Sequence, residues 1–299
     1  MDKEKPGDYF MQVEFHDGGY CTHREKMAIS TGRFCKAVFP SIFVHFHHEK
    51  HGHILYDTGY SQKFYEETKN FPNNLYAKIT PVFIKEKDTA VYKLKQQGIN
   101  PEDVKFIIIS HFHADHIAAL KDFPNARFIY FSHGFSKFDG LGKYKRLVNG
   151  YLLGLIPEGF KERTIAVEKR PTTLSVSKSL NEIFSVQYDI FGDGSLLAIE
   201  LPGHARGQLG LYFTQGNKEF FLIADSCWLT QAYEENIRPA IFSYLLTDSA
   251  KLYNQTLEKI HRVHKADNKI IIVPSHCGQK YLDLVATPCC TKNLNGVYT

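Results

Sequence analysis

The chain is short of every feature that would place it in a specialised class. Its six cysteines stand at positions 21, 35, 227, 277, 289 and 290. No paired spacing suggests a disulfide framework, so free thiols in a reducing cytoplasm are the expected state. No apolar run approaches the roughly 20 residues of a membrane span. The start, Met1-Asp2-Lys3-Glu4-Lys5-Pro6-Gly7-Asp8, is charged and lacks an apolar centre, so it does not read as a signal peptide. Charge of one sign is missing too. Lys and Arg number 36 against 32 Asp and Glu, a net +4, which argues neither for a polyanionic partner nor against one. Internal repeats and low-complexity segments are absent. What remains is 299 residues, 43% of them hydrophobic, enough to fill a sizeable core, read as one domain over 1–299.

Against that plain background one segment stands out. Ser110-His111-Phe112-His113-Ala114-Asp115-His116 places three histidines and a carboxylate in six residues. It follows Val104-Lys105-Phe106-Ile107-Ile108-Ile109, a β-branched run with the look of a buried strand emptying into a loop. Imidazole nitrogen and carboxylate oxygen are ligands for zinc and its first-row neighbours. Three further strand-like runs end the same way. Leu196–Leu201 leads to Pro202-Gly203-His204, Glu219–Ala224 to Asp225, and Lys269–Pro274 to Ser275-His276. In layered α/β folds the carboxyl ends of strands are where ligands collect. A lone histidine after a strand is an ordinary boundary residue; four such placements in one chain are not. Five histidines and two aspartates suffice for two metal ions.

These residues, in this order, resemble the metallo-β-lactamase superfamily. Leu55-Tyr56-Asp57-Thr58-Gly59 matches its early Asp-Thr-Gly element, and Leu201-Pro202-Gly203-His204-Ala205-Arg206-Gly207 its Pro-Gly-His turn. The resemblance runs from about residue 40 to residue 280. It implies an α/β fold, the αβ/βα sandwich of two mixed sheets with helices outside and metals at one sheet edge. It assigns His111, His113 and His204 to one metal, Asp115, His116 and His276 to the second, and Asp225 as the bridge. Asp57 is then expected to orient an imidazole by a hydrogen bond instead of binding metal. Two divalent ions are implied, zinc by default, with iron or manganese compatible with the same ligands. Ions about 3.5–4 Å apart share a water and lower its pKa, giving a bridging hydroxide. Asp115 and Asp225 are the expected catalytic carboxylates.

Within the superfamily the chain is most similar to acyl-homoserine lactonases. It shares with them the glycine after residues 86–97 and the approach through Asn100-Pro101-Glu102-Asp103 into the motif strand. Two positions depart from that pattern. The lactonases carry a tyrosine three residues after the bridging aspartate, where this chain has Trp228, and a Gly-Gly pair where it has Ala118-Ala119. An indole keeps an aromatic wall but only donates. The resemblance therefore implies hydrolysis of a carboxylic ester or lactone with a hydrophobic portion, with neither membrane nor nucleic acid as partner. Three other chemistries use similar ligands: thioester hydrolysis of the glyoxalase II type, phosphodiester hydrolysis, and iron-dependent persulfide dioxygenation. A metal-binding scaffold without catalysis is a fourth alternative.

Other segments read as scaffold. Phe43–His48 and His53–Tyr56 flank Glu49-Lys50-His51-Gly52, a hairpin turn with glycine at the tight position. Alternation sets its five histidines mostly opposite Val44 and Phe46, with no carboxylate cluster in sequence beside them, which predicts a structural role. Ala90–Gln97, closed by Gly98, predicts a helix. Asp248 is a candidate N-cap for a longer helix carrying Tyr253, Leu257, Ile260 and His264. Cys227 and Cys277 follow two expected ligands closely, and read either as neighbours of the metals or as small buried thiols. The interval 135–190 is longer than a compact connection needs. Its 135–178 part holds nine Lys or Arg against four Asp or Glu, together with Leu147–Ile156, which is apolar and broken by glycine. Two readings stand for it: a lid over the metal edge, with Leu152, Leu153 or Leu155 facing Trp228 across a substrate pocket, or a surface excursion docked on the sheet. The chain after Asp283 reads as a loose tail.

Overall fold

The computed structural model describes residues 10–169, 171–172 and 177–286. Two mixed β-sheets lie face to face. The first runs through β1 (Met11–Arg24), β2 (Lys36–His48), β3 (Gly52–Tyr56), β4 (Val82–Phe83), β5 (Val104–Ile108), β6 (Arg127–Tyr130) and β7 (Thr164–Ala166), in spatial order β4-β1-β2-β3-β5-β6-β7. The second holds β8 (Pro171–Thr172), β9 (Gln187–Asp189), β10 (Leu196–Glu200), β11 (Leu209–Gln215), β12 (Lys218–Ala224) and β13 (Ile270–Pro274), in order β13-β12-β11-β10-β9-β8. β3, β5, β6 and β7 are parallel neighbours, as are β12 and β13.

Period-two alternation explains the layers. On β2, Val44 and Phe46 face inward and meet Phe213, Phe220 and Leu222 of the second sheet. Phe43, Leu55 and Ile107 face outward and are covered by helical residues such as Phe64, Leu94 and Leu120. The second sheet does the same: Leu197, Ile199 and Phe221 turn away from the first sheet to meet Tyr253, Leu257, Ile260 and Val263. Both faces of each sheet are buried, which is why the motif strands read as near-continuous apolar runs.

The covering helices of the first sheet are α1 (Gln62–Glu67), α2 (Asn74–Ile79), α3 (Ala90–Lys95), the four-residue α4 (Ala114–Ile117), α5 (Ser132–Gly140) and α6 (Lys143–Val148). Those beside the second are α7 (Lys178–Ile183), α8 (Thr230–Glu234) and α9 (Ala250–Ala266), while α10 (Gly278–Ala286) packs against β1 and β2. The predicted helix before Gly98 is α3. The cap of α9 differs from expectation: Ser249, not Asp248, accepts the Leu252 N–H, while Asp248 pairs with Lys137 and Arg206.

Two more expectations need correction. The interval 135–190 is not one excursion, because it contains β7 at the edge of the first sheet and β8 and β9 in the second. Residues 283–286 are the last turn of α10, not a tail; Pro288, Cys289 and Cys290, like Met1–Asp8, lie outside the described residues. Among the described residues, no helix is long and apolar enough to cross a membrane.

Candidate metal centre

Every candidate ligand sits just beyond a strand end, on one edge shared by both sheets. β5 delivers His111 and His113 in the loop, and α4 carries Asp115 and His116 on its single turn. β10 leads to His204, β12 to Asp225 and β13 to His276. The motif was expected to be wholly loop, but its second half closes a helical turn through the His116 N–H to the His113 carbonyl.

The Asp-Thr-Gly element pins that loop from below. Asp57 accepts the Ser110 N–H at 2.7 Å and the His116 Nδ1–H at 2.7 Å. Thr58 donates its backbone N–H and its hydroxyl to the His116 carbonyl, and Ser41 donates to the Asp115 carbonyl at 2.7 Å. On the other sheet, Gly203 (φ +137°) lets the chain touch α9, since a β-carbon there would lie 2.2 Å from the Tyr253 nitrogen. His204 is held beside it by the Asp248 N–H to its carbonyl, 2.9 Å. Gly203 is therefore required by close approach, not by the turn alone.

The seven side chains converge as two groups, and the donor atoms of each lie within 4.8 Å of one another. His111, His113 and His204 make the first. His113 Nδ1 stands 3.0 Å from His111 Nε2 and 2.9 Å from His204 Nε2. Asp115, His116, Asp225 and His276 make the second. His276 Nε2 is 3.2 Å from Asp115 Oδ2 and 3.0 Å from Asp225 Oδ2, and His116 Nε2 is 3.3 Å from Asp225 Oδ1. Asp225 Oδ2 also reaches within 3.4 Å of His204 Nε2. One carboxylate thus touches both groups.

The donor chemistry fits metal. Imidazole nitrogens and carboxylate oxygens crowd together in both groups. His116 Nε2 and Asp225 Oδ1 are buried with no hydrogen-bond partner. The far nitrogens are committed elsewhere: His116 Nδ1 to Asp57, His276 Nδ1 to the Pro40 carbonyl at 2.7 Å, and His111 Nδ1 to the Ser110 hydroxyl at 3.0 Å. The Asp57 carboxylate and the Pro40 carbonyl, which only accept, put a proton on Nδ1 of His116 and His276 and turn Nε2 inward.

Charge divides the groups. Burial, then neighbouring imidazoles, pushes His111 well down; burial and His204 push His113 down to about 3. In the second group burial opposes charge but loses. His116 and His276 hold the Asp115 carboxyl well below the usual range, and His276, His116 and His204 do the same for Asp225. Burial also opposes protonation of His116 and His276, yet Asp115, Asp57 and Asp225 raise His116, and Asp225 and Asp115 bring His276 up to about 10. A divalent cation satisfies the same field and displaces those protons.

A pocket opens onto both groups, reaching His113, Asp115, His204 and Asp225. Its walls are Cys21, Tyr60, Tyr76, Val148, Trp228 and Leu246, with His23, Thr80, Asn149 and Gly150 as polar or backbone points. Trp228 lines it as expected and does more: its indole N–H donates to Asp225 Oδ2 at 3.1 Å, and its ring meets His276 edge-on at 4.9 Å. Leu152, Leu153 and Leu155 do not line it. Leu152 and Leu155 are buried in the core beneath, and Leu153 is 47% exposed. The apolar run of that segment packs downward, and the chain before it supplies the wall. Gly150 (φ +75°) crosses His113 so closely that a β-carbon would lie 3.0 Å from the ring.

Cys21, His23, Tyr60 and Tyr76 escaped sequence reasoning. Only Tyr60 had a signal, its place directly after Asp57-Thr58-Gly59. Cys227 and Cys277 are buried thiols that make contacts away from the ligands, to the Leu229 carbonyl and the Thr230 hydroxyl. The hairpin histidines do meet carboxylates from elsewhere in the chain: Glu14 beside His16 and His45, and Asp193 beside His48 and His51.

Comparison with known proteins agrees with this architecture. The chain is 27% identical over 193 residues, 64% of its length and 67% of the relative's, to an N-acyl homoserine lactonase AttM of Rhizobium radiobacter. To the AttM of Azorhizobium caulinodans it is 26% identical over the same extent. A solved N-acyl homoserine lactone hydrolase, with N-hexanoyl-L-homoserine bound at its catalytic metal centre, superposes with a TM-score of 0.69 at 18% identity, covering 91% of this chain and 95% of that one. The dizinc quorum-quenching lactonase AidC gives 0.59 at 14% identity, covering 93% and 90%. The family model of the Metallo-beta-lactamase superfamily matches residues 41–226, and with the sheet pair and strand-end residues already described, the chain belongs to that superfamily.

Proposed function

We propose that the protein is a dinuclear metal-dependent hydrolase of lactones or carboxylic esters, similar in action to the acyl-homoserine lactonases it resembles. The observation that carries this reading is Asp225, one buried carboxylate reaching both ligand groups. His111, His113 and His204 would hold one ion, and Asp115, His116 and His276 the other. Bound there, two divalent ions supply an activated water and polarise the scissile carbonyl.

The chain's own residues do the rest. Asp57 fixes His116 so that Nε2 points inward. Asp115 lies on the pocket wall with its carboxyl ionised, placed to receive the proton shed by the attacking water and return it to the leaving oxygen. Trp228 holds Asp225 by its N–H and walls the pocket with its ring. Tyr76, Val148 and Leu246 give the acyl or aryl portion an apolar seat.

Zinc-loaded protein assayed against lactones and esters of increasing chain length, a thioester and a phosphodiester tests the assignment. Lactone or ester turnover that rises with chain length supports it. Phosphodiester or thioester cleavage without lactone or ester turnover overturns it.

A further inference from the structure

A second cluster of ligating side chains lies outside the catalytic pocket, on the outward face of the first sheet. Glu14 and His16 are two residues apart on β1 and so share a face, and Glu14 is the direct cross-strand partner of His45 on β2. The carboxylate oxygen of Glu14, a ring nitrogen of His16 and one of His45 lie within 4.8 Å of one another. None of the three lines the pocket above.

Two observations separate this cluster from a hydrogen-bonded histidine patch. His45 is 4% exposed, and its Nδ1 is buried with no hydrogen-bond partner, as is His16 Nε2. The opposite nitrogen of His45 is engaged: Nε2 stands 3.0 Å from His53 Nδ1. A proton on Nε2 makes that bond and leaves a lone pair on Nδ1 directed toward Glu14 and His16. Burial, with His16 and His53 close by, pushes His45 down to about 3, so the ring is neutral at ordinary pH. His16 Nε2 stands 3.5 Å from Glu14 Oε2, and Gln97 Nε2 donates to that same oxygen.

The other histidine–carboxylate cluster is tied together by hydrogen bonds instead. His48 Nδ1 accepts the Lys50 N–H at 3.1 Å, which puts the proton of a neutral ring on Nε2, 3.7 Å from Asp193 Oδ2. His51 Nε2 is bonded to Asp193 at 2.9 Å. That set is a hydrogen-bonded clasp on the hairpin.

We propose that Glu14, His16 and His45 form a binding site for a first-row divalent cation, zinc in the first instance, separate from the catalytic centre. Two imidazoles and a carboxylate are a zinc donor set, with a water completing four-coordination. Donor atoms 4.8 Å apart sit about 2.8 Å from their common centre, so a shift of about 0.7 Å per side chain reaches zinc–nitrogen distance. Because two ligands come from one strand and the third from its paired neighbour, the site forms only when β1 and β2 are in register. Zinc there would cross-link the two longest strands of the sheet.

Untagged protein is dialysed against buffers of graded free Zn2+, and its bound metal is measured beside that of Glu14→Gln, His16→Gln and the double variant. The neighbouring His47→Gln serves as a surface-histidine control. The proposal expects wild type to bind one zinc more than the double variant, and each single variant to hold that zinc at least about tenfold more weakly. Melting temperature should rise with that extra zinc in wild type and not in the double variant, while hydrolytic turnover stays equal. Equal zinc content in wild type and double variant overturns the site and leaves water as its occupant. Loss of the same zinc in His47→Gln also overturns it, as unspecific surface binding. Should the double variant fail to fold, Glu14→Gln alone decides, since that side chain is 40% exposed; unchanged affinity refutes the proposal.

Discussion

The two candidate ligand groups share the short segment from His111 to His116, yet they differ in their charged groups. His111, His113 and His204 form a cage of imidazoles that burial keeps neutral, His113 down to about 3. Asp115, Asp225, His116 and His276 form a carboxylate-rich cage whose negative charge draws His276 up to about 10. The first can ligate through neutral nitrogen without releasing a proton at neutral pH. The second would exchange protons for metal. The difference teaches that the pair is not a duplicated site: one half is set for ligation and the other for charge, and Asp225 is the carboxylate that reaches both.

The sharpest way to break that contrast is to remove the shared residue. Asp225→Ala should abolish paired metal binding and lower turnover by about a thousandfold or more, roughly 4 kcal/mol of barrier. Metal analysis and steady-state rates check it. Retention of two tightly held metals with near-normal turnover would deny the bridging role.

Asp57→Asn should act on the carboxylate-rich half alone. Asp57 accepts from both Ser110 N and His116 Nδ1 with separate oxygens, and an amide has only one acceptor oxygen. His116 loses its orientation, so affinity for the second metal should fall about 10–100-fold. The first ion should stay. Equal weakening of both ions, read by competition with a chromophoric chelator, would show that the halves are not separable.

Acid and alkali should also tell the halves apart. His276 and His116 have folded pKa values above the unfolded 6.5. In the metal-free protein their stabilisation is complete below 6.5 and is lost as pH climbs, for His276 toward about 10. His113 and His111 have folded values below 6.5. Their contribution is complete above 6.5 and is lost as pH falls, for His113 toward about 3. Melting temperature of stripped protein should therefore drop on both sides of neutrality. Zinc displaces the protons on His116 and His276, so the alkaline limb should flatten in loaded protein while the acid limb persists. Melting scans between about pH 5 and 10 on both forms measure this. Identical alkaline limbs would mean that those protons are not exchanged for metal.

The candidate ligands stood out in sequence because each follows a buried strand, and buried strands announce themselves as β-branched apolar runs. Asp57 was legible through its resemblance alone, since nothing local says that a buried aspartate will meet His116. The pocket was not legible. Cys21 and His23 come from β1, Tyr76 from α2 and Leu246 from the chain before α9, and only tertiary packing brings them together. Leu152 and Leu155 misled because an apolar run states that a residue is buried, not against what. The outward cluster was missed for the same reason: Glu14 and His45 are neighbours only across paired strands, and sequence showed the histidines without their carboxylate.

The smallest expected effect tests what the carboxylate-rich half is made of. Cys227 follows Asp225 by two residues and Cys277 follows His276 by one, so both lie where a thiolate ligand would be convenient. Their thiols face elsewhere: Cys227 toward the Leu229 carbonyl at 3.6 Å and Cys277 toward the Thr230 hydroxyl at 3.8 Å. Burial pushes the Cys227 thiol well up, away from the thiolate that metal binding or nucleophilic attack needs. Cys277→Ser keeps a donor of similar size within reach of Thr230. It should leave metal content unchanged and turnover within about tenfold, at most roughly 1.4 kcal/mol of barrier. A Cys277→Ser protein that keeps both metals and loses activity would place sulfur in the chemistry. One that loses a single metal would add sulfur to the second cage and break the division into a nitrogen half and a carboxylate half.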